Sequence, residues 1–129
     1  MMRSNHKEGF TLSELLIVVA IIGVLVAISI PIFTSQLHKA EVATDWANLR
    51  GFYAELQADY METGKERTDI TKKYDVSMGK PTSFTDLQGN TIKLKAGFFA
   101  VRFDVKNGYS IAYYCNKNHY PECAITIGA

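Results

Sequence analysis

The chain has 129 residues, 47% of them apolar and 21% charged, with 14 Lys and Arg against 13 Asp and Glu for a net charge of +1. That length suffices for one small domain plus a long helix. The near balance of charge hides an asymmetry: Phe10 to Gly64 holds two basic and six acidic residues, Lys65 to Ala129 ten basic and six acidic. Solvated faces that pair within and between copies are the plain reading of such a pattern. A basic head that meets anionic partners, DNA or cell surfaces, is the sharper one.

In chain order, the first nine residues carry Arg3, Lys7 and Glu8, and Gly9-Phe10-Thr11-Leu12-Ser13-Glu14 follows. No Asp, Glu, Lys or Arg then occurs until Lys39, and Leu15 to Phe33 is almost wholly Leu, Ile, Val and Ala. At ~1.5 Å rise per residue this run matches a hydrocarbon core of ~30 Å. A carboxylate at the front edge of such a run is costly in lipid and needs a partner. One reading is a secretory signal peptide, with Arg3 and Lys7 as the basic region and Ala27-Ile28-Ser29 as a cleavage site. The apolar run is longer than the usual ~7–15 residues, and Glu14 sits badly inside it. A second reading is a plain anchor whose basic flank holds the N-terminus in the cytoplasm.

The segment Gly9 to Ile17 (GFTLSELLI) resembles the processing and assembly signature of type IV prepilins, and the match runs on to Pro31 in the apolar helix. The resemblance covers residues 9–33, about a fifth of the chain. Glu8 departs from it, because a basic residue is more common before the glycine. The resemblance implies cleavage by a prepilin peptidase after Gly9 and N-methylation of Phe10, so that residues 1–9 are a leader. It implies that Glu14 pairs with the N-terminal amine of a neighbouring subunit, which relieves two buried charges at once and selects the register. It implies that the stretch around Pro31, weakened by Gly23 and Ser29, bends or melts as the subunit passes from bilayer to filament. The implied partners are further copies of the chain, the peptidase and an inner-membrane assembly platform. The implied location is the cytoplasmic membrane, single-pass with the N-terminus inside, and then an extracellular pilus.

Beyond Pro31 the pattern becomes striped. Val42, Trp46, Leu49, Tyr53, Leu56 and Tyr60 are spaced four, three, four, three, four, which marks one face of a helix. Asp45, Glu55, Asp59 and Glu62 are assigned to solvent or to a neighbouring head. Gly64 stops the helix. One helix is therefore expected from Phe10 to Thr63, apolar all round in residues 10–33 and amphipathic in 34–63. Residues 64–90 are expected as a connecting loop, with turns at Lys80-Pro81 and Gln88-Gly89-Asn90. Asp69, Asp75 and Asp86 lack calcium-loop spacing.

Residues 91–129 read as a small antiparallel sheet of three to four strands, which with the helix gives an α+β fold and a globular head over 34–129. The expected strands are Thr91–Lys95, Phe99–Val105, a run from Tyr109 and a last one at Ala124–Ile127. Two hairpin registers are open. A two-residue turn at Asn107-Gly108 mixes the faces. A three-residue loop with Gly108 in a left-handed bulge pairs Val105 with Tyr109, Phe103 with Ile111 and Val101 with Tyr113, and sets Cys115 opposite Phe99. The second keeps one face apolar and is the one expected. Outside the cytoplasm Cys115 and Cys123 form a disulfide by default. His119 between them makes three ligands at no recognised metal spacing.

No catalytic set is present: His6, His38 and His119 stand apart, with no nucleophile elbow and no phosphate loop. No cofactor and no metal are expected. Tyr109, Tyr113, Tyr114 and Tyr120 near Lys106 and Lys117 suggest a stacking platform for single-stranded nucleic acid, although such tyrosines more often cover a core. The expected function is a structural pilus subunit serving motility, adhesion or DNA uptake. The alternatives are a pseudopilin of a type II secretion or competence system, or a monomeric membrane-anchored binding module.

Overall fold

The computed structural model describes residues 9–116 and 123–128. The chain divides into two units, Met1–Leu37 and His38–Ala129. In chain order the elements are α1 (Leu12–Thr63), α2 (Thr68–Lys73), a 3-10 turn (Val76–Met78), β1 (Ser83–Thr85), β2 (Thr91–Lys93), β3 (Gly97–Asp104), β4 (Gly108–Cys115) and β5 (Ile125–Ile127). The α+β class and the long first helix agree with the sequence.

Every described residue of the first unit is exposed. Its helix starts at Leu12, two residues later than expected, because Thr11 stands at the capping position. α1 passes through Pro31 without a break in its assignment.

The second unit holds the core. From α1, Val42, Leu49, Phe52 and Leu56 are buried against Phe84, Leu94, Phe99, Val101, Tyr109, Ile111 and Tyr113. Phe52 stacks on Phe84 with ring centroids 4.4 Å apart, and Phe84 meets Phe99 edge-on at 5.7 Å. Such pairs add about 0.5–1.5 kcal/mol each beyond the area they bury. The buried line of α1 is His38, Val42, Asp45, Leu49, Phe52 and Leu56, which corrects the expected stripe. Trp46, Tyr53 and Tyr60 are only half-buried flankers. Large aromatic rings with polar tips suit a flank, where the body packs and the tip stays wet; the periodicity counted them as the centre.

Asp45, expected in solvent, is 0% exposed. Its Oδ1 accepts Lys95 N and its Oδ2 accepts Ala96 N and the Tyr113 hydroxyl, each at 2.8 Å. Glu55 is half-buried rather than free, because its Oε2 accepts Leu87 N at 3.1 Å. Asp59 is likewise half-buried, and Glu62 is exposed as expected.

Residues 64–90 are not simply a loop. Gly64, at φ +70°, ends α1 by giving its N–H to Tyr60 O at 2.8 Å. α2 follows at once, seated by Ile70 and Tyr74 in the core and by Arg67 N donating to the Tyr109 hydroxyl at 2.6 Å. A six-residue helix has no autonomous stability, so tertiary contacts create an element that periodicity cannot show. β1 pairs with β2 as a separate two-stranded sheet, while β3, β4 and β5 make the main antiparallel sheet in that order.

The β3–β4 hairpin has a three-residue loop, but shifted by one position in each strand. Phe103 pairs with Tyr109, Val101 with Ile111, Phe99 with Tyr113, and Asp104 with Gly108. Cys115 therefore faces Gly97 and not Phe99. The loop is Val105-Lys106-Asn107. Asp104 fixes it by accepting Lys106 N at 3.3 Å and Asn107 Nδ2 at 3.0 Å. Gln57 of α1 accepts Tyr109 N at 3.0 Å beside Gly108, which has φ +82°. The shift preserves parity, so the apolar face is the expected one.

Candidate functional site

The front of the chain is built residue by residue. Gly9 has φ +91°, a left-handed conformation that glycine adopts without strain, and open space where a side chain would stand. Phe10 behind it is 77% exposed. Thr11 and Glu14 then form a reciprocal cap: Glu14 N donates to Thr11 Oγ1 at 3.2 Å, and Thr11 N donates to Glu14 Oε2 at 3.1 Å. This is the Thr-x-x-Glu capping box. The signal for it in the sequence is the spacing of Thr11 and Glu14, three residues apart at the head of an apolar run. The box draws the carboxylate back over the first turn, where the helix dipole also favours it.

Behind Glu14, the apolar side chains from Leu15 to Leu37 are exposed among the described residues; Leu16 is 62% exposed and Phe33 67%. α1 is long and apolar enough in this part to cross a membrane. So large an apolar surface demands lipid or protein around it. Two of its hydroxyls bond back to the helix. Ser29 Oγ donates to Leu25 O at 2.7 Å, and Thr34 Oγ1 lies 3.1 Å from Ile30 O and 3.0 Å from Pro31 O. Hydroxyls bonded back to their own helix carry little penalty in lipid. Pro31 lacks the N–H that would reach Ala27 O, a local weakness within an otherwise continuous helix.

The head contributes the disulfide. Cys115 and Cys123 are bonded, with Cα atoms 5.9 Å apart, and the Trp46 indole Nε1 donates to Cys123 O at 3.3 Å. The bond thereby ties the chain after β4 to the flank of α1. His119 lies outside the described residues, as do Lys117 and Tyr120. Among the described residues no three His, Cys, Asp or Glu side chains gather as a metal site. The nucleic-acid platform loses two of its four rings. Tyr109 and Tyr113 are 0% exposed, engaged by Arg67 N and by Asp45. Tyr114 stacks on Phe98 with centroids 5.3 Å apart. Burial raises the Tyr113 hydroxyl pKa, and the bond to Asp45 raises it further, because the ionised phenol would be both desolvated and set against a carboxylate.

Residues 4–30 match the family described as the prokaryotic N-terminal methylation motif. Several curated proteins are similar over longer stretches. A fimbrial protein of Moraxella nonliquefaciens is 35% identical over 80 residues, covering 54% of this chain and 52% of the relative. The type IV major fimbrial protein FimA of Dichelobacter nodosus is 38% identical over 74 residues, covering 57% and 43%. The type IV major pilin protein PilE1 of Neisseria gonorrhoeae is 29% identical over 102 residues, covering 79% and 54%. The chain thus spans about half the length of these relatives. No solved structure matches it.

Proposed function

We propose that the chain is a type IV pilin and serves as a structural subunit of a type IV pilus; its methylation segment and its fimbrial relatives support this reading. The observation that carries this reading is the naked apolar front of α1, headed by one capped carboxylate. The prepilin sits in the cytoplasmic membrane with its N-terminus inside. A prepilin peptidase cuts after Gly9, whose lack of a side chain lets the scissile bond approach another surface closely. The cut leaves a free amine on Phe10, which is then methylated. An inner-membrane assembly platform lifts the subunit out of lipid.

In the filament the apolar flanks of many copies replace lipid as the surroundings of residues 15–33. Dispersion contacts between tightly packed side chains then supply the cohesion. Glu14 pairs with the Phe10 amine of a neighbour. A misregistered subunit would leave either charge buried and alone, at a cost of several kcal/mol, so correct stacking is selected. Pro31 marks where the helix yields as it leaves the bilayer. The chain itself catalyses nothing in this scheme. The disulfide favours pilus over secretion pseudopilus as the assembly served.

The test is the N-terminus of protein sheared from cells. Fibres whose subunits begin at Phe10 and carry one added methyl group are expected by mass spectrometry. A native product that begins at Met1 and stays solitary overturns the reading. Glu14→Ala is expected to accumulate in the membrane at normal levels while fibres fall by about tenfold or more, as loss of an assembly charge pair predicts.

A further inference from the structure

The head carries two unlike charged surfaces. On α1, Glu41, Glu55, Asp59 and Glu62 fall within an arc of roughly 60° at 3.6 residues per turn, on one flank of the buried line. Next to them, on the side turned away from the core, stand Ala43, Ala47, Gly51, Ala54 and Ala58, all exposed. The second surface follows the edge of β3 that β4 does not occupy. There the chain from Tyr74 to Thr82 runs alongside. Tyr74 O accepts Val101 N at 3.1 Å, Pro81 O accepts Phe99 N at 3.1 Å, and Thr82 O accepts Leu94 N at 2.7 Å. Lys73 and Lys80 flank this stretch, and Lys93 and Lys95 lie on the chain it pairs with; all four are exposed. Lys80 Nζ stands 5.2 Å from the Phe98 ring, and Lys73 Nζ 5.3 Å from the Tyr74 ring. The acids in this half are occupied with turns: Asp75 accepts Ser77 N, and Asp86 accepts Asn90 N. Arg67 pairs with Asp69, Nη2 to Oδ2, at 3.1 Å. Glu55 spends one oxygen on Leu87 N and Asp59 is half-buried, which leaves Glu41 and Glu62 of the flank, and the four lysines of the edge, without a salt bridge among the described residues.

We propose that the acidic flank of α1 on one subunit docks against the β3-edge lysines of a second copy of this chain. The inference rests on the reading of the protein as a pilus subunit and adds which head surfaces meet. Both halves of the contact are present on one molecule, so the occupant need be nothing else. The two patches are different, and neither complements itself. A head-to-tail contact uses one patch from each copy and leaves one of each free, so it propagates from copy to copy, as an open helical filament where the rotation does not close. Charge sets register and rejects wrong partners here rather than supplying bulk affinity. The run of Ala and Gly beside the acids lets the neighbour approach the helix backbone without displacing side chains.

Two full-length variants test this. One carries Glu41→Lys with Glu62→Lys, the other Lys80→Glu with Lys95→Glu. Expressed alone, each is expected to yield about tenfold fewer filaments than wild type, with unchanged accumulation in the membrane. Expressed together, they are expected to restore filaments that contain the two chains in equal amounts, because each reversed surface then faces a reversed partner. Rescue by mixing also shows that both chains fold. The proposal is overturned if either variant alone assembles as well as wild type, or if the mixture is no better than its parts. Wild-type filaments with indifferent reversals sink this proposal alone; no wild-type filaments at all sink the pilus reading with it.

Discussion

Asp45 shows how one side chain organises the head. It is fully buried, yet every contact it makes is to a donor: two consecutive backbone amides, Lys95 N and Ala96 N, and the Tyr113 hydroxyl. These bonds join α1 to the start of β3 and to β4, and they satisfy amides that no strand partner reaches. Asp45→Ala is expected to lower stability by ~3 kcal/mol, because two buried N–H groups and a hydroxyl lose their acceptor together; urea unfolding of detergent-solubilised protein measures it. Tyr113 supplies a pH signature. Its folded-state pKa is raised, first by burial and then by Asp45, so its contribution is fully present below the unfolded value near ~10 and is lost as pH rises above it. Wild-type protein is expected to lose thermal stability as pH climbs past about 10, and Tyr113→Phe to lose less over the same range. A melting-temperature series against pH reads both.

At the scale of elements, boundaries come from caps and interiors from contacts. α1 begins where Thr11 and Glu14 cap each other and ends where Gly64 turns left-handed. Both signals are local and sit openly in the sequence. β3 begins at Gly97 for a reason no local signal carries. A methyl group there would collide with the Tyr114 carbonyl and the Tyr113 ring. Gly97→Ala is therefore expected to destabilise the head by about 1–3 kcal/mol, seen as a lower urea midpoint. The disulfide closes a short loop, so replacing Cys115 and Cys123 with Ser should cost only about 2–3 kcal/mol by chain entropy. Loss of the Trp46 anchor on Cys123 O should accompany it, visible as a change in fluorescence from the chain's single tryptophan. The hairpin register slipped from expectation by one residue in each strand because alternation constrains parity alone. The choice among registers of equal parity fell to Asp104 and Gln57, one beside the turn and one on a distant helix.

For the whole molecule, the decisive fact is that every buried residue among those described lies at His38 or beyond. A chain beginning at His38 is expected to stay soluble and unfold cooperatively, whereas the full chain should leave the membrane fraction only with detergent; ultracentrifugation after fractionation distinguishes them. An apolar run long enough to span lipid was legible early, since composition and length alone define it from Leu15 to Phe33; the pilus reading came from the resemblance at Gly9 to Ile17 instead. The α+β class and the apolar face of the sheet were also legible, because periods of 3.6 and 2 are properties of the backbone. Asp45, Phe52 and α2 were not. A carboxylate among polar neighbours looks like surface until β-strand amides converge on it. A six-residue helix looks like loop until Tyr109 holds its first turn. The sequence by itself determined what must leave water, since hydrophobicity belongs to each side chain. Only the tertiary structure decided which polar groups went with them, because a buried carboxylate is tolerable only where three donors from distant parts of the chain meet it.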